Sequence, residues 1–187
     1  MPPQMMKRWF GGGPQTDEEI IQLFKPELEQ IGQGNLKNWE QDLEGKLATI
    51  ILCDQLSRNI FRGLAEAFSF DHISLRISKD IIFHVETFKQ YKLFEKLFIV
   101  MPLLHSENID DCQLGTDVLS QIITHLSLKG EQDLVKLFEL NKRWGLEHLE
   151  ILKEFGRYPH RNKVLGRENT EEEDMYLRDA GSFGQQM

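Results

Sequence analysis

Residues 130–156, GEQDLVKLFELNKRWGLEHLEILKEFG, decide the fold class because they have the pattern of one long amphipathic helix. Apolar residues recur at spacings of three and four, the period of an α-helix, and predict one buried stripe. Gly156, followed by Pro159, is expected to end the helix. The stripe consists of Leu134, Leu137, Phe138, Trp144, Leu149, Leu152 and Phe155.

The same periodicity continues along most of the chain and predicts about seven helices. They are expected near residues 16–31, 39–60, 71–85, 87–104, 110–126, 134–155 and 170–177. Thr16 and Thr170 each stand three residues before a glutamate, the pattern of a capping box. No segment shows the sustained alternation of a strand. The predicted architecture is a single all-α domain over residues 1–187, a bundle or stacked helical hairpins, with a loose tail from about residue 180.

The core of this domain is expected to come from several helices at once. Cys53 and Cys112 lie in apolar stretches without a CxxC partner, so we expect reduced, buried thiols. The residues predicted to be buried together are Leu47, Ile51, Leu97, Phe98, Val118, Ile122, Phe138 and Leu152.

Composition excludes several classes of protein. The formal net charge is −8, which disfavours general binding to nucleic acid or to an anionic membrane. The longest apolar stretches, 47–53 and 97–104, are too short to span a bilayer. The N-terminus lacks the apolar region of a secretory signal. We therefore expect a cytoplasmic protein, and the sequence predicts no cofactor and no metal site.

Charged residues occur in three segments where helix packing does not require them. The first segment, residues 54–63 (DQLSRNIFRG), places Asp54, Arg58 and Arg62 on one helical face, with Asn59 beside them. A buried ion pair that fixes the helix register would explain this pattern. Alternatively, Arg58 or Arg62 presents its guanidinium to an anion.

The second segment is residues 101–107, MPLLHSE, in which Pro102 is expected to kink or end an apolar helix. His105 and Glu107 resemble metal ligands in their spacing, but the rest of a ligand set is not evident. No nucleophile elbow accompanies Ser106. These side chains are expected to cap a helix end or to hold the neighbouring loop.

The third segment is residues 155–170, FGRYPHRNKVLGRENT, an ordered loop that carries four basic residues and one acidic residue between Arg157 and Glu168. Its arginines and His160 could bind a carboxylate or a phosphate. They could equally bond the loop to helix C-termini and to acidic residues such as Glu107 or Asp54.

Together these segments resemble the motifs of the bacterial family called domain of unknown function 924. The family patterns DQxxRNxxRG, MPLxHSE and FGRxPHRNxxLGRExTxEE are matched in order, starting at residues 54, 101 and 155. The resemblance covers residues 9–183 and implies an all-helical, tetratricopeptide-like fold without implying an activity. Family members usually begin with one more helix, so we expect a truncated N-terminus before Trp9 and Phe10.

Two functions follow as hypotheses, and the sequence does not decide whether the chain is an enzyme. The first is a polar pocket that binds a small anionic ligand. The second is a tetratricopeptide-like module that binds a protein partner, and in this case the three charged motifs serve only the structure. The predicted site comprises ligand-binding Arg58, Arg62, Arg157, Arg161 and Arg167, orienting Asp54, Asn59 and Glu168, and the acid–base candidates His105, His160 and Glu107. We predict that Arg58, His105, His160 and Arg161 lie around one cluster.

Overall fold

A computed structural model describes residues 13–179, and this part of the chain contains eight helices and no strand. The all-α fold is therefore confirmed. The helices are α1 Pro14–Gly32, α2 43–60, α3 Asp71–Phe83, α4 Val85–Gln90, α5 Leu93–His105, α6 Ile109–Leu128, α7 Gln132–Phe155 and α8 Glu171–Asp179. Three short 3₁₀ helices, Lys37–Gln41, Ala65–Phe68 and Pro159–Arg161, lie between them. The expected truncation near Trp9 and Phe10 and the expected loose tail lie outside the described residues.

The first helix starts earlier than predicted. It begins at Pro14 after the extended Gly13, which places Thr16 inside the first turn. A proline there has no amide to satisfy and already holds a helical φ, so the helix starts without a capping side chain. The capping box predicted at Thr16 is wrong. The one at Thr170 is present, because Thr170 Oγ1 accepts from the Glu173 N–H at 3.2 Å and the Thr170 N–H donates to Glu173 Oε2 at 2.8 Å.

The predicted fourth helix is divided into α4 and α5. Tyr91 is extended between them, its ring is buried, and its hydroxyl donates to the carbonyl of Leu43 at 3.0 Å. A buried tyrosine needs a partner for its hydroxyl, and this one finds it on α2. The division explains why eight helices occur where about seven were expected.

The buried apolar residues form a main core among α2, α3, α5, α6 and α7, and a smaller cluster between α1 and α2. Of the predicted core residues, Phe98, Val118, Ile122, Phe138 and Leu152 are buried. Leu47 and Leu97 are only partly buried against the main core, and Ile51 packs on the smaller cluster because that stretch of α2 faces α1. Cys53 and Cys112 are buried free thiols, as predicted.

The position of the site depends on how the end of α5 rests on the hairpin formed by α6 and α7. A Cβ atom added to Gly115 would lie 2.8 Å from Leu104 Cδ2, and one added to Gly145 would lie 3.1 Å from it. The two glycines therefore leave room for the Leu104 side chain against the hairpin, just before the residues of the site. Gly156 ends α7 in the left-handed conformation, at φ 69°, as predicted. No helix within residues 13–179 is long and apolar enough to cross a membrane.

Candidate functional site

The three charged segments meet where α2, the end of α5 and the loop after α7 come together. The Tyr158 hydroxyl donates to the carbonyl of Leu104 at 2.7 Å, and a ring nitrogen of His148 lies 3.1 Å from the same oxygen. These bonds satisfy a carbonyl at the C-terminal end of α5, where no further helical turn is available. They bring the loop after α7 directly onto the segment that carries His105 and Glu107.

Asp54 and His105 form a hydrogen-bonded pair, with 2.7 Å between Asp54 Oδ1 and His105 Nδ1. Burial opposes ionisation of Asp54, but the charge and hydrogen bond of His105 outweigh it, so the pKa of Asp54 lies below its usual range. The Asp54 side chain is 1 % exposed and that of His105 is 28 % exposed, so the histidine can be reached from solvent. Because Nδ1 is bonded to Asp54, Nε2 is the nitrogen open to chemistry.

Asp54 lies in an unusual part of α2. Residues Ile51–Leu56 are wound as a π-helix between two α-helical stretches. Such single-turn π segments occur frequently at functional sites, because the wider turn moves side chains out of the ordinary helical register. Gln55 on the same turn donates to the second oxygen of Asp54.

Arg58, one turn further along α2, is bound on several sides. It donates to Asp71 Oδ2 at 2.8 Å and to the carbonyl oxygen of Ala67. Its guanidinium carbon lies 4.4 Å from the centre of the Phe68 ring. Arg58 is thus held by the segment that connects α2 to α3 and by the start of α3 itself.

Arg161 differs from Arg58 because it is enclosed without an acceptor. Its side chain is buried, and its guanidinium carbon lies 4.8 Å from the Phe68 ring centre and 4.6 Å from that of Tyr158. Its Nε is completely buried without a hydrogen-bond partner, and within residues 13–179 its guanidinium forms no hydrogen bond or ion pair. Burial and the nearby charge of Arg58 lower the pKa of Arg161. We call Arg58, Phe68, Asp71, Tyr158 and Arg161 the guanidinium cluster.

Glu107 is held by Arg167 and by the loop backbone. The two terminal nitrogens of Arg167 lie 2.6 and 2.8 Å from the two carboxylate oxygens, and the Tyr158 N–H donates to Oε1 at 3.0 Å. Burial opposes ionisation, but these bonds keep the pKa of Glu107 below its usual range. Glu107 therefore anchors the loop beside the cluster, with Arg167 as its ion-pair partner.

His160 and His148 flank Tyr158, with ring centres 5.5 and 5.1 Å from the tyrosine ring. Burial and Arg161 lower the pKa of His160 to about 3, and burial and His105 lower that of His148 to about 4. Both rings are therefore neutral at pH 7. The structure brings Arg58, Arg161 and the two predicted histidines into one electrostatic neighbourhood.

Other predicted site residues bond elsewhere. Arg62 holds both oxygens of Asp17 on α1, at 2.6 and 2.9 Å, and Asn59 donates to the same carboxylate at 2.8 Å. Arg157 holds both oxygens of Glu173, at 2.7 and 2.8 Å, and donates to the backbone carbonyl of Glu168. The side chain of Glu168 is exposed. These contacts tie α1 and the loop to their neighbours and leave the guanidinium cluster as the distinctive feature.

Sequence reasoning missed part of the cluster. Phe68 belongs to no motif, His148 lies inside the amphipathic pattern of α7, and Asp71 stands only at the start of a predicted helix, 71–85. His148 stands four residues after Trp144 and four before Leu152, so it lies on the same face as the stripe, and spacing alone does not show what its ring bonds to. A shallow depression lies apart from the cluster, lined by Glu154, Phe155, Arg157, Thr170, Glu172 and Glu173. Among the described residues, no three metal-ligating side chains are grouped.

The fold and the site define an all-α protein with a buried arginine–histidine cluster between helix ends. The chain belongs to the bacterial protein family of unknown function DUF924, whose model matches residues 2–181. It is also similar to the solved structure of a protein of unknown function from Agrobacterium tumefaciens, with a TM-score of 0.76 and 28 % identity over 92 % of this chain and 89 % of that one. Among curated proteins, none matches this chain.

Proposed function

We propose that this protein binds a small anionic ligand through Arg161, with Arg58 beside it in the guanidinium cluster. The observation that carries the proposal is the enclosed guanidinium of Arg161, which meets no acceptor within residues 13–179. A buried charge without a partner is costly, and burying a guanidinium without hydrogen bonds adds to that cost. An anion would supply both the missing charge and the missing acceptors.

The acidic residues nearest to Arg161 are already engaged. Asp71 is bound by Arg58 at 2.8 Å, and Glu107 is bound by Arg167 at 2.6 Å. The rings of Phe68 and Tyr158 attract the guanidinium through their faces, but an aromatic face replaces neither a hydrogen-bond acceptor nor a counter-ion. The protein therefore compensates Arg161 only in part, and a ligand would complete the site.

Arg161→Met tests this proposal, since methionine fills a similar volume without charge. At constant ionic strength, acetate or phosphate at a hundredfold excess over its dissociation constant should raise the melting temperature of the wild type by roughly 5–10 °C. Arg161→Met should abolish that rise. Arg143→Met is the matched control, because it removes the same charge from an exposed site on α7.

The proposal is wrong if Arg161→Met keeps the same anion response as the wild type. It is also wrong if no anion stabilises the wild type and Arg161→Met unfolds the protein, since Arg161 would then serve only the fold. Urea unfolding without added anion measures the second possibility.

The second candidate function is protein binding, and it is supported by exposed apolar side chains on α7. Leu140 is 38 % exposed and Trp144, one turn later, is 47 % exposed. Large apolar side chains repeated at helical spacing are typical anchors for a partner helix. In an amide NMR titration, a peptide partner would shift signals around Trp144, whereas an anion would shift those around Arg161.

A further inference from the structure

The guanidinium cluster contains two buried groups with opposite hydrogen-bonding needs. Asp71 Oδ2 accepts from Arg58 at 2.8 Å, but Asp71 Oδ1 is completely buried without a partner. Arg161 Nε is completely buried as a donor without an acceptor. The two side chains form no ion pair with each other within the described structure, so neither satisfies the other. A molecule that completes both must carry an acceptor and a donor.

The aromatic rings restrict the shape of the acceptor. The guanidinium carbon of Arg161 lies over the rings of both Phe68 and Tyr158, at 4.8 and 4.6 Å from their centres. Two rings this close to the guanidinium carbon leave little room for an acceptor. A carboxylate is flat and pairs with a guanidinium in one plane, through two parallel bonds. Tetrahedral phosphate or sulfate also carries oxygens outside that plane and needs more room beside the rings.

The charges restrict the ligand further. Arg58 is balanced by Asp71 and Arg167 by Glu107, which leaves the charge of Arg161 without a counterpart in the described structure. One negative charge on the ligand balances it. A dianion would exceed what the cluster can neutralise, and the nearby carboxylates would repel it.

We infer that the ligand is a small carboxylate with a hydroxyl group on the adjacent carbon, whose carboxylate binds Arg161 and whose hydroxyl donates to Asp71 Oδ1. This inference rests on the proposed anion binding and adds the chemical class of the anion. A donor next to the carboxylate is the most compact way to join both functions in one molecule.

Calorimetric titration of the whole chain with matched acids tests the inference. Glycolate differs from acetate, and lactate from propionate, by a single hydroxyl. The wild type should bind each hydroxy acid about tenfold more tightly than its partner, the effect of one added hydrogen bond to a charged group. Inorganic phosphate should bind about tenfold more weakly than glycolate.

Asp71→Leu removes the acceptor with little change of shape, and its methyl groups can neither accept from a hydroxyl nor donate to one. In this variant glycolate should bind no more tightly than acetate. Asp80→Leu on the same helix is the control, because Asp80 is half exposed and bonds to Lys46, and it should keep the preference.

Each negative result contradicts a different step of the argument. Equal affinity for glycolate and acetate in the wild type overturns the inference, as does tighter binding of phosphate, while anion binding that depends on Arg161 would still stand. Binding that Arg161→Met leaves unchanged would remove the proposed function as well. If Asp71→Leu does not fold, the wild-type comparison of the paired acids still decides the question.

Discussion

Arg157 and Arg161 stand four residues apart in one loop, and their surroundings are opposite. Arg157 donates to both carboxylate oxygens of Glu173 and to a backbone carbonyl. Arg161 lies between two aromatic rings without an acceptor within residues 13–179. The comparison shows that one motif contains an arginine whose hydrogen bonds are satisfied and another whose charge has no counterpart. Only the neighbours of each arginine distinguish the two.

The clamp consists of Arg157, Asn162, Thr170 and Glu173, and it closes the loop onto α8. Glu173 is 2 % exposed and accepts from all three partners. Because the two charged groups of the clamp, Arg157 and Glu173, satisfy each other, we interpret it as structural, although Asn162 Oδ1 is buried without a partner. The guanidinium cluster has the opposite property, and the predictions below test that difference.

The largest effect is expected from Phe138→Ala, which weakens the α7 helix that supports both regions. Phe138 is fully buried in the main core. The substitution should cost about 3–5 kcal/mol, because it leaves a cavity and loses transfer free energy. Urea unfolding measures it, and an unchanged midpoint would mean that the main core does not depend on this face of α7.

Glu173→Ala should have the next largest effect and reveal the clamp alone. The buried amide of Asn162 loses a carboxylate acceptor, which should cost roughly 1–3 kcal/mol for that group. Anion binding at Arg161 should persist, measured by the shift in melting temperature. Loss of that response in a folded variant would show that the two regions are not independent.

Arg161→Met should change stability in the opposite direction when no anion is present. The substitution removes a buried donor that has no acceptor, and one such unsatisfied group costs at least roughly 1–3 kcal/mol. We expect a gain of about 1 kcal/mol, because two cation–π contacts are also lost. Arg157→Met should instead lower the melting temperature, since it leaves Glu173 without its bidentate partner. If both variants shift stability in the same direction, the contrast between the two arginines is false.

The last prediction concerns pH, and the two regions should lose stability in different pH ranges. The folded pKa of His148 is about 4 against an ordinary 6.5, so the unfolded chain binds the proton first and stability should fall as pH drops from 6.5 to 4. The pKa of Glu173 is lowered to about 2 from 4.5, so the clamp should weaken only as pH drops from 4.5 toward 2.

His148→Asn removes one of two histidines that titrate in the first range, since the pKa of His160 is also lowered, to about 3. The asparagine amide can still donate to the carbonyl of Leu104, but it does not titrate. Thermal unfolding from pH 7 to 4 should show a shallower loss of stability than in the wild type. An identical slope would assign the acid sensitivity to other groups.

The sequence predicted the helices well where an apolar stripe is long and its ends are marked. It predicted α7 from its stripe and from Gly156, and α8 from the capping box at Thr170. It failed at Thr16 and Tyr91 because a proline start and a long-range bond to the Leu43 carbonyl overrode the local patterns. Local propensity contains no information about a partner 48 residues away.

The candidate site was predictable as a set of residues but not as a set of partners. The sequence motifs treat Arg62, Arg157 and Arg161 alike, because an arginine in a polar motif has the same pattern whether its acceptor is present or missing. The acceptors of Arg62 and Arg157 come from other helices, Asp17 on α1 and Glu173 on α8. Phe68 and Asp71, which complete the guanidinium cluster, lie outside all three motifs.

The π-helical turn of α2 makes this arrangement sensitive to chain length. A π turn closes its hydrogen bonds over one residue more than an α turn, so the six residues Ile51–Leu56 cover about the rotation of five α-helical ones. Removing one residue there would restore regular winding and leave the two halves of α2 nearly in their present orientation. Arg58 and Arg62 would then keep Asp71 and Asp17, whereas the wide turn that carries Asp54 toward His105 would be lost. One surplus residue is therefore a condition for the pair of Asp54 and His105 and not for the two arginine contacts.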